Sequence, residues 1–244
     1  MFMLATQHCE YNFLFKAFLS ALSPDILFLL GEADKLFFEK KGMATRTLPP
    51  AVDNLRFCKV SPDQKKDLRR KYNIHGDKIV VLHVGHIRPA RNLKCLVNIQ
   101  KMSDTQVIIV GSTTTPRDKK LEQLLKESGI TVFGEYLPGI EELYQLSDVY
   151  VFPVSRYNAA IDMPLSILEA LSCNLPVITT RFGSLADYFT EDNAFKYFEK
   201  SEELEDLIRS VKDLDSSDIQ NDKKIGKFSW DKFVAGILNT FREV

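Results

Sequence analysis

The stretch Asp162-Met163-Pro164-Leu165-Ser166-Ile167-Leu168-Glu169-Ala170-Leu171-Ser172-Cys173-Asn174-Leu175-Pro176-Val177-Ile178-Thr179-Thr180-Arg181-Phe182-Gly183 decides how the rest of the chain is read. Asp162 suits a helix N-cap, and Pro164 is tolerated in a first turn. Leu165, Leu168 and Leu171 recur at helical spacing, which predicts one apolar face. Asn174 readily takes the left-handed conformation that ends helices, and Pro176 would not continue one. Val177 to Thr179 then predict a short buried strand. Glu169 is the odd residue. The positions three and four away from it (Leu165, Ser166, Ser172, Cys173) offer no positive charge to pair with. It reads either as a solvated helix residue or as part of a site. The predicted helix follows a strand-like segment and a long polar loop, and a helix N-terminus at the carboxyl end of a parallel strand favours phosphate. A carboxylate one turn further in can accept hydrogen bonds from two sugar hydroxyls.

Outward from that stretch, short apolar runs alternate with helical ones. Strands are predicted at Ile79 to Val84, Gln106 to Val110, Thr131 to Phe133, Val149 to Phe152 and Ala194 to Phe198. Helices are predicted between them at Leu93 to Lys101, Asp118 to Lys126 and Ile140 to Leu146. This alternation predicts an α/β fold, a Rossmann-like doubly wound parallel sheet with helices on both faces. A charged helix capped by Ser61 precedes it, helices at Ser201 to Val211 and from Ser229 to Phe241 follow it, and the two prolines of Leu48 to Phe57 make a stiff, extended connector. At the start, residues 1 to 23 read as one aromatic-rich helix, Ile26 to Leu30 as a strand, and Lys35 to Lys41 as a short helix ending at Gly42.

Composition narrows the function. A net charge of -1 gives no reason to expect a nucleic-acid partner. Cys9, Cys58, Cys95 and Cys173 have no metal-ligand spacing, so they read as reduced thiols and no metal site is expected. The apolar run Phe13 to Leu22 is short for a membrane span and is interrupted by Lys16. Glu10, with no Lys or Arg in the first ten residues, speaks against a signal peptide. A cytoplasmic chain is expected, with a packed helix at residues 13 to 22; peripheral contact at the inner membrane surface is the alternative. Gly85 is not followed by dinucleotide-binding glycines, which disfavours a nicotinamide dehydrogenase or epimerase. No cofactor is expected.

The run Pro164 to Thr180 resembles the donor-binding signature of the retaining glycosyltransferases of the GT-B fold, the group 1 or family 4 set. That signature has two Glu separated by seven residues, the second followed by Ala and soon by a small residue, Pro and Val. Glu169 matches the second. Ile161 occupies the place of the first; Asp162 one residue later, or Asn158 if the loop carries an insertion, would stand in for it. Pro49-Pro50-Ala51-Val52-Asp53 with Phe57 is similar to the family's crossover between domains, with Ala51 replacing Gly, and Trp230 is similarly placed to a Trp of the family's last helix.

Gly85-His86-Ile87-Arg88-Pro89-Ala90-Arg91-Asn92 resembles the family's diphosphate-binding turn, in which an Arg and a Lys neutralise the phosphates. Arg91 falls on the Lys position and His86 on the Arg position. A guanidinium can clamp phosphate oxygens bidentately, and positioned cations stabilise a departing diphosphate. A neutral His86 would supply a hydrogen bond instead of a charge, which Arg88 would offset. Arg88 and Arg91 also read as surface cations at a helix start, but that place is mildly unfavourable for cations. Val132 to Leu137 resembles the nucleobase turn: Gly134 permits close approach, while Tyr136 and Leu137 either pack on the base or simply cover the core. In the loop Pro153 to Asp162 and the helix after it, Pro164 has no amide, so Leu165 and Ser166 are the implied donors.

The resemblance implies three segments: residues 1–47 as a remnant of an N-terminal, acceptor-side domain, 48–228 as the nucleotide-sugar-binding domain, and 229–244 as a C-terminal helix. It implies retaining transfer of a glycosyl group from a nucleotide sugar to an unknown glycan, lipid or small-molecule acceptor. Arg91 would hold the diphosphate, Glu169 the ribose, and Asp162 or its neighbours the sugar. Either the chain is a truncated product, or a partner chain would supply the acceptor side. The alternative is a non-catalytic nucleotide-sugar-binding or regulatory subunit.

Overall fold

A computed structural model describes residues 2–5, 24–32, 34–74, 76–114, 116–212, 214–215 and 218–242. Apolar runs too short for stable isolated helices pair instead as strands, and they form two parallel sheets. The smaller has the order β1-β2-β3, from β1 (Phe2–Ala5), β2 (Ile26–Leu29) and β3 (Thr45–Thr47). Phe2 lies opposite Ile26, and Leu27 opposite Thr45. Helix α1 (Lys35–Glu39) links β2 to β3 and buries Phe38. The helix expected over residues 1 to 23 is corrected here for Phe2–Ala5. Those four residues pair in parallel register with β2, and a short apolar run carries no period that separates helix from strand. Residues 6–23 lie outside the described residues. The strand β3 was not expected from the sequence.

The larger sheet is built from β4 (Ile79–Gly85), β5 (Thr105–Gly111), β6 (Thr131–Phe133), β7 (Val149–Phe152), β8 (Val177–Thr179) and β9 (Phe195–Tyr197). Every pair is parallel, in the order β6-β5-β4-β7-β8-β9. Alternate residues feed opposite faces. Val80, Leu82, Tyr150 and Phe152 enter one core, and Val81, Val149 and Val151 the other. Strands covered on both sides read as near-continuous apolar runs, which is how β7, and β4 apart from His83, stand out in the sequence. The helices that cover the sheet are α2 (Pro62–Lys71), α3 (Cys95–Gln100), α4 (Lys119–Glu127), α5 (Ile140–Leu146), α6 (Leu165–Ser172), α7 (Leu185–Tyr188), α8 (Leu204–Lys212) and α9 (Asn221–Ile225).

Local chemistry fixes several of these boundaries. The Ser61 hydroxyl accepts from the Gln64 amide at 3.2 Å while Gln64 accepts from the Ser61 amide at 2.9 Å, a capping box that starts α2. Asn92 takes φ 55, so α3 begins at Cys95 and not at Leu93 as expected, after a short 3-10 turn at Pro89–Arg91. Asn174 takes φ 59 and ends α6 as expected. The last helix, α10 (Trp230–Arg242), lays Phe233 and Ile237 on Ile26, Phe28 and Leu48, beside the small sheet. The connector runs beside the entry to α10, where the Val52 amide donates to the Phe228 carbonyl at 2.9 Å.

One topological feature positions the site. The chain winds from β4 outward to β5 and β6, then crosses back to β7 and winds the other way. Adjacent connections therefore leave in opposite directions at the carboxyl ends of β4 and β7, which opens a crevice there.

Candidate functional site

Gly85 ends β4, and Phe152 ends β7. Between the loops that follow them lies a hollow of about 480 Å³. Arg91, His86 and Arg88 line it from the β4 side, and Asn158, Ile161, Leu165, Ser166 and Glu169 from the α6 side. Arg91 and Glu169 thus share one crevice, although they are far apart in the chain.

Glu169 stands one turn inside α6 and is mostly buried. Burial raises its carboxyl above the ordinary carboxylate range; the Tyr144 hydroxyl, and more weakly the charge of Arg56, pull the other way. Tyr144, fully buried in α5, donates to Glu169 Oε2 at 2.5 Å. Tyr150 stacks on Tyr144 with ring centres 5.8 Å apart, and its own hydroxyl donates to the Val84 carbonyl at 3.2 Å. Behind Glu169 and Val84, which line the hollow, the two buried tyrosines therefore hold polar groups of its wall in place. Sequence reasoning missed Tyr144. It sits at an apolar-pattern position, and its partner is on another helix, so no spacing reports the bond.

Arg91 is 7% exposed, which rules out a surface cation. Its guanidinium lies over the Phe152 ring, 5.7 Å from the centroid. Among the described residues no carboxylate pairs with it, and its Nε has no hydrogen-bond partner. Burial lowers its pKa, with a smaller contribution from Arg88 in the same direction. A buried cation without a counter-charge is costly, and an anionic ligand would relieve that cost. His86 is half-buried; burial first, then the charges of Arg91 and Arg88, hold it below the ordinary histidine value. It lines the hollow from the β4 side. Arg88 is exposed at the rim.

On the other side of Gly85 a second, smaller hollow of about 290 Å³ is lined by Gly111, Ser112, Thr113, Tyr136 and Leu137. Gly85 and Val84 border both hollows, so the two adjoin at the end of β4. Tyr136 is 75% exposed, while Leu137 packs against the core. Gly134 lies next to Arg117, whose guanidinium occupies the space a side chain would need; Arg117 also pairs with Glu122 at 3.3 Å.

Two expectations are corrected. Asp162 does not cap α6: the cap is Pro164, and the helix begins at Leu165. The Asp162 carboxylate instead accepts from the Ser184 hydroxyl, and its carbonyl from the Ser184 amide at 3.2 Å. These bonds draw it toward the start of α7, and it does not line the hollow that holds Arg91 and Glu169. Leu165 is the second. It was placed on the apolar face, yet it is 41% exposed, because Ile167, Leu168, Ala170 and Leu171 take the core. It lines the hollow with Ser166, and as first-turn residues both have amides with no carbonyl one turn back. A larger hollow of about 550 Å³ lies at the opposite end of the sheet, next to the Lys65–Asp148 ion pair and away from the crevice.

No cluster of three or more metal-ligating side chains occurs among the described residues. No helix among them is long and apolar enough to cross a membrane.

A parallel sheet with its crevice at the winding reversal, a buried cation on one wall and a carboxylate on the other is the frame of a doubly wound α/β domain with a ligand-sized cleft at its switch point. Residues 64–228 match the family "Glycosyl transferases group 1", and the chain belongs to it. The sequence is 30% identical over 158 residues to a D-inositol 3-phosphate glycosyltransferase of Geodermatophilus obscurus, covering 58% of this chain and 34% of that protein. The chain thus spans about a third of that relative's length. Its fold is similar to Anabaena Alr3699/HepE solved in complex with UDP and glucose, with a TM-score of 0.80 and 17% identity over 99% of this chain and 71% of that one. It is also similar to the C-terminal domain of a group 1 family protein (LpcC) from Francisella tularensis, with a TM-score of 0.50 and 21% identity, covering 76% of this chain and 97% of that one.

Proposed function

We propose that this chain binds a nucleoside-diphosphate sugar in the crevice between β4 and β7 and serves as the donor side of a retaining glycosyl transfer. The observation that carries the reading is Arg91, a buried cation without a carboxylate partner among the described residues, facing the same hollow as Glu169. In this reading the Arg91 fork takes the diphosphate, with the amides of Leu165 and Ser166 opposite it. Glu169, held as an acceptor by Tyr144, takes the two ribose hydroxyls. The base lies in the smaller hollow, between Ser112, Thr113, Tyr136 and Leu137.

In the transfer, the bond from the sugar's anomeric carbon to the diphosphate oxygen breaks and a bond to an acceptor hydroxyl oxygen forms. The acceptor's proton passes to the leaving diphosphate. Charge builds on the diphosphate as it departs, and a fixed guanidinium stabilises that charge more than the ground state. That Anabaena HepE was solved with UDP and glucose supports a nucleotide-sugar ligand here.

A second reading, donor binding without transfer, is favoured by Ile161. It lines the hollow with an apolar side chain at the position where the family signature carries its first Glu. Transfer assays with and without a candidate partner chain separate the two.

The test of donor binding is a thermal-shift panel of UDP-, GDP- and ADP-sugars. One nucleotide class is expected to raise the melting temperature in proportion to its logarithmic concentration, as binding to the folded state requires. A flat response to all of them overturns the reading.

A further inference from the structure

Two buried polar atoms beside the hollow lack hydrogen-bond partners among the described residues, and they are complementary: His83 Nε2 and Arg91 Nε. His83 lies in β4, two residues before Gly85, and is fully buried. Its Nδ1 is 2.9 Å from the carbonyl oxygen of Val151 in β7. A carbonyl can only accept, so Nδ1 carries the hydrogen and Nε2 is left as a bare lone pair. Burial, with the Arg91 charge adding to it, holds the imidazole at about 3, so the ring is neutral at physiological pH. The Arg91 guanidinium, by contrast, can only donate. A side-chain carbon on Gly85 would stand 3.2 Å from His83 Nε2 and 3.0 Å from Arg91 Nη1. The His83 acceptor and a second donor of the same guanidinium, Nη1, therefore flank one gap, and it is open because residue 85 has no side chain.

We infer that His83 is a positioning residue for Arg91: its Nε2 lone pair receives an N–H of the guanidinium through one water in the gap beside Gly85, and so aims the remaining N–H groups at the donor diphosphate. The inference rests on the donor-site reading. A bare lone pair repels phosphate oxygens, so His83 acts on the ligand only through the cation. As mere packing it would be a poor choice. Its strand neighbours are Val80, Val81, Leu82 and Val84, and an apolar side chain there would leave no buried nitrogen unsatisfied.

The experiment compares His83→Leu, which removes the acceptor, with His83→Gln, which returns one at the same reach. UDP, GDP, ADP and the corresponding nucleosides are titrated into each variant, and into both again with Arg91→Met. The diphosphate that binds wild type is expected to weaken about tenfold in His83→Leu, the scale of one hydrogen bond to a charged group. Its nucleoside is expected to bind unchanged, His83→Gln to recover most of the loss, and His83→Leu to have no effect once Arg91 is gone. Equal weakening of nucleoside and diphosphate, or the same loss without Arg91, makes His83 structural and overturns the inference. If no diphosphate binds wild type, the donor-site reading fails separately, and the nitrogen-resolved NMR signal of the Arg91 guanidinium decides. Slow hydrogen exchange that is lost in His83→Leu and kept in His83→Gln sustains the pairing; identical exchange in all three removes it.

Discussion

The Tyr144 hydroxyl donates to Glu169 Oε2 across 2.5 Å, between two helices whose residues are 25 positions apart in the chain. This bond opposes the effect of burial on the Glu169 carboxyl. Burial lifts the Glu169 pKa above its ordinary 4.5, and Tyr144 partly restrains the rise. Between 4.5 and the raised folded value, the folded chain holds more protons on this group than the unfolded chain does. Stability from this group therefore falls as pH increases through that window. Glu169→Gln is expected to abolish the slope and to place the urea midpoint at pH 7 above that of wild type. Midpoints measured from pH 4 to pH 8 check this, and parallel curves for the two proteins would count against it.

Tyr144→Phe leaves the buried carboxylate without its donor. It is expected to cost about 1–3 kcal/mol at pH 7 and to push the Glu169 pKa higher still. Urea unfolding gives the first quantity, and carboxyl carbon NMR titration the second.

Gly85 is required for space. A methyl group there meets Arg91 Nη1 at 3.0 Å, tighter than ordinary carbon contacts, and the arginine tip can move. Gly85→Ala is expected to fold, to displace the guanidinium, and to weaken nucleoside diphosphate binding about tenfold while leaving nucleoside affinity intact. Calorimetry with both ligands reads the difference.

At the other end of the sheet, Asp148 joins α2 to the strand ends. It accepts from Arg69 at 2.5 Å, Lys65 at 2.8 Å and the Val80 amide at 2.7 Å. Asp148→Ala leaves the Val80 amide without its acceptor and takes from Lys65 and Arg69 their counter-charge, though both keep carbonyl acceptors, and is expected to cost about 1–3 kcal/mol. Ligand affinity is expected to be unchanged, because the crevice lies at the opposite strand ends.

Asn174 holds φ 59 at the end of α6. A β-branched residue suffers there and glycine does not. Asn174→Val is expected to lose about 1–2 kcal/mol and Asn174→Gly to stay near wild type, as judged by urea midpoints.

Much of this was legible in the sequence because it depends on local pattern. Strands such as Thr131–Phe133, Val149–Phe152 and Val177–Thr179 are bounded by turn residues and carry unbroken apolar runs, so their limits follow from composition alone. Asn174 ends its helix for a reason contained in one residue. What failed depends on partners distant in the chain. Phe2–Ala5 is a strand because Ile26–Leu29 lies beside it, and Asp162 turns away from α6 because Ser184 draws it. The site shows the same division. Arg91 and Glu169 were legible as unusual charges near helix starts, whereas Tyr144 and His83 were hidden in apolar patterns that a hydroxyl or an imidazole does not disturb.

The most direct measurement is calorimetric titration of the nucleoside diphosphate selected by the thermal-shift panel into wild type, Glu169→Ala and Arg91→Met. If both side chains serve one ligand, each substitution weakens binding at least about tenfold, and only Arg91→Met leaves the nucleoside's affinity untouched. Affinity equal to wild type in both variants would contradict a donor site between β4 and α6.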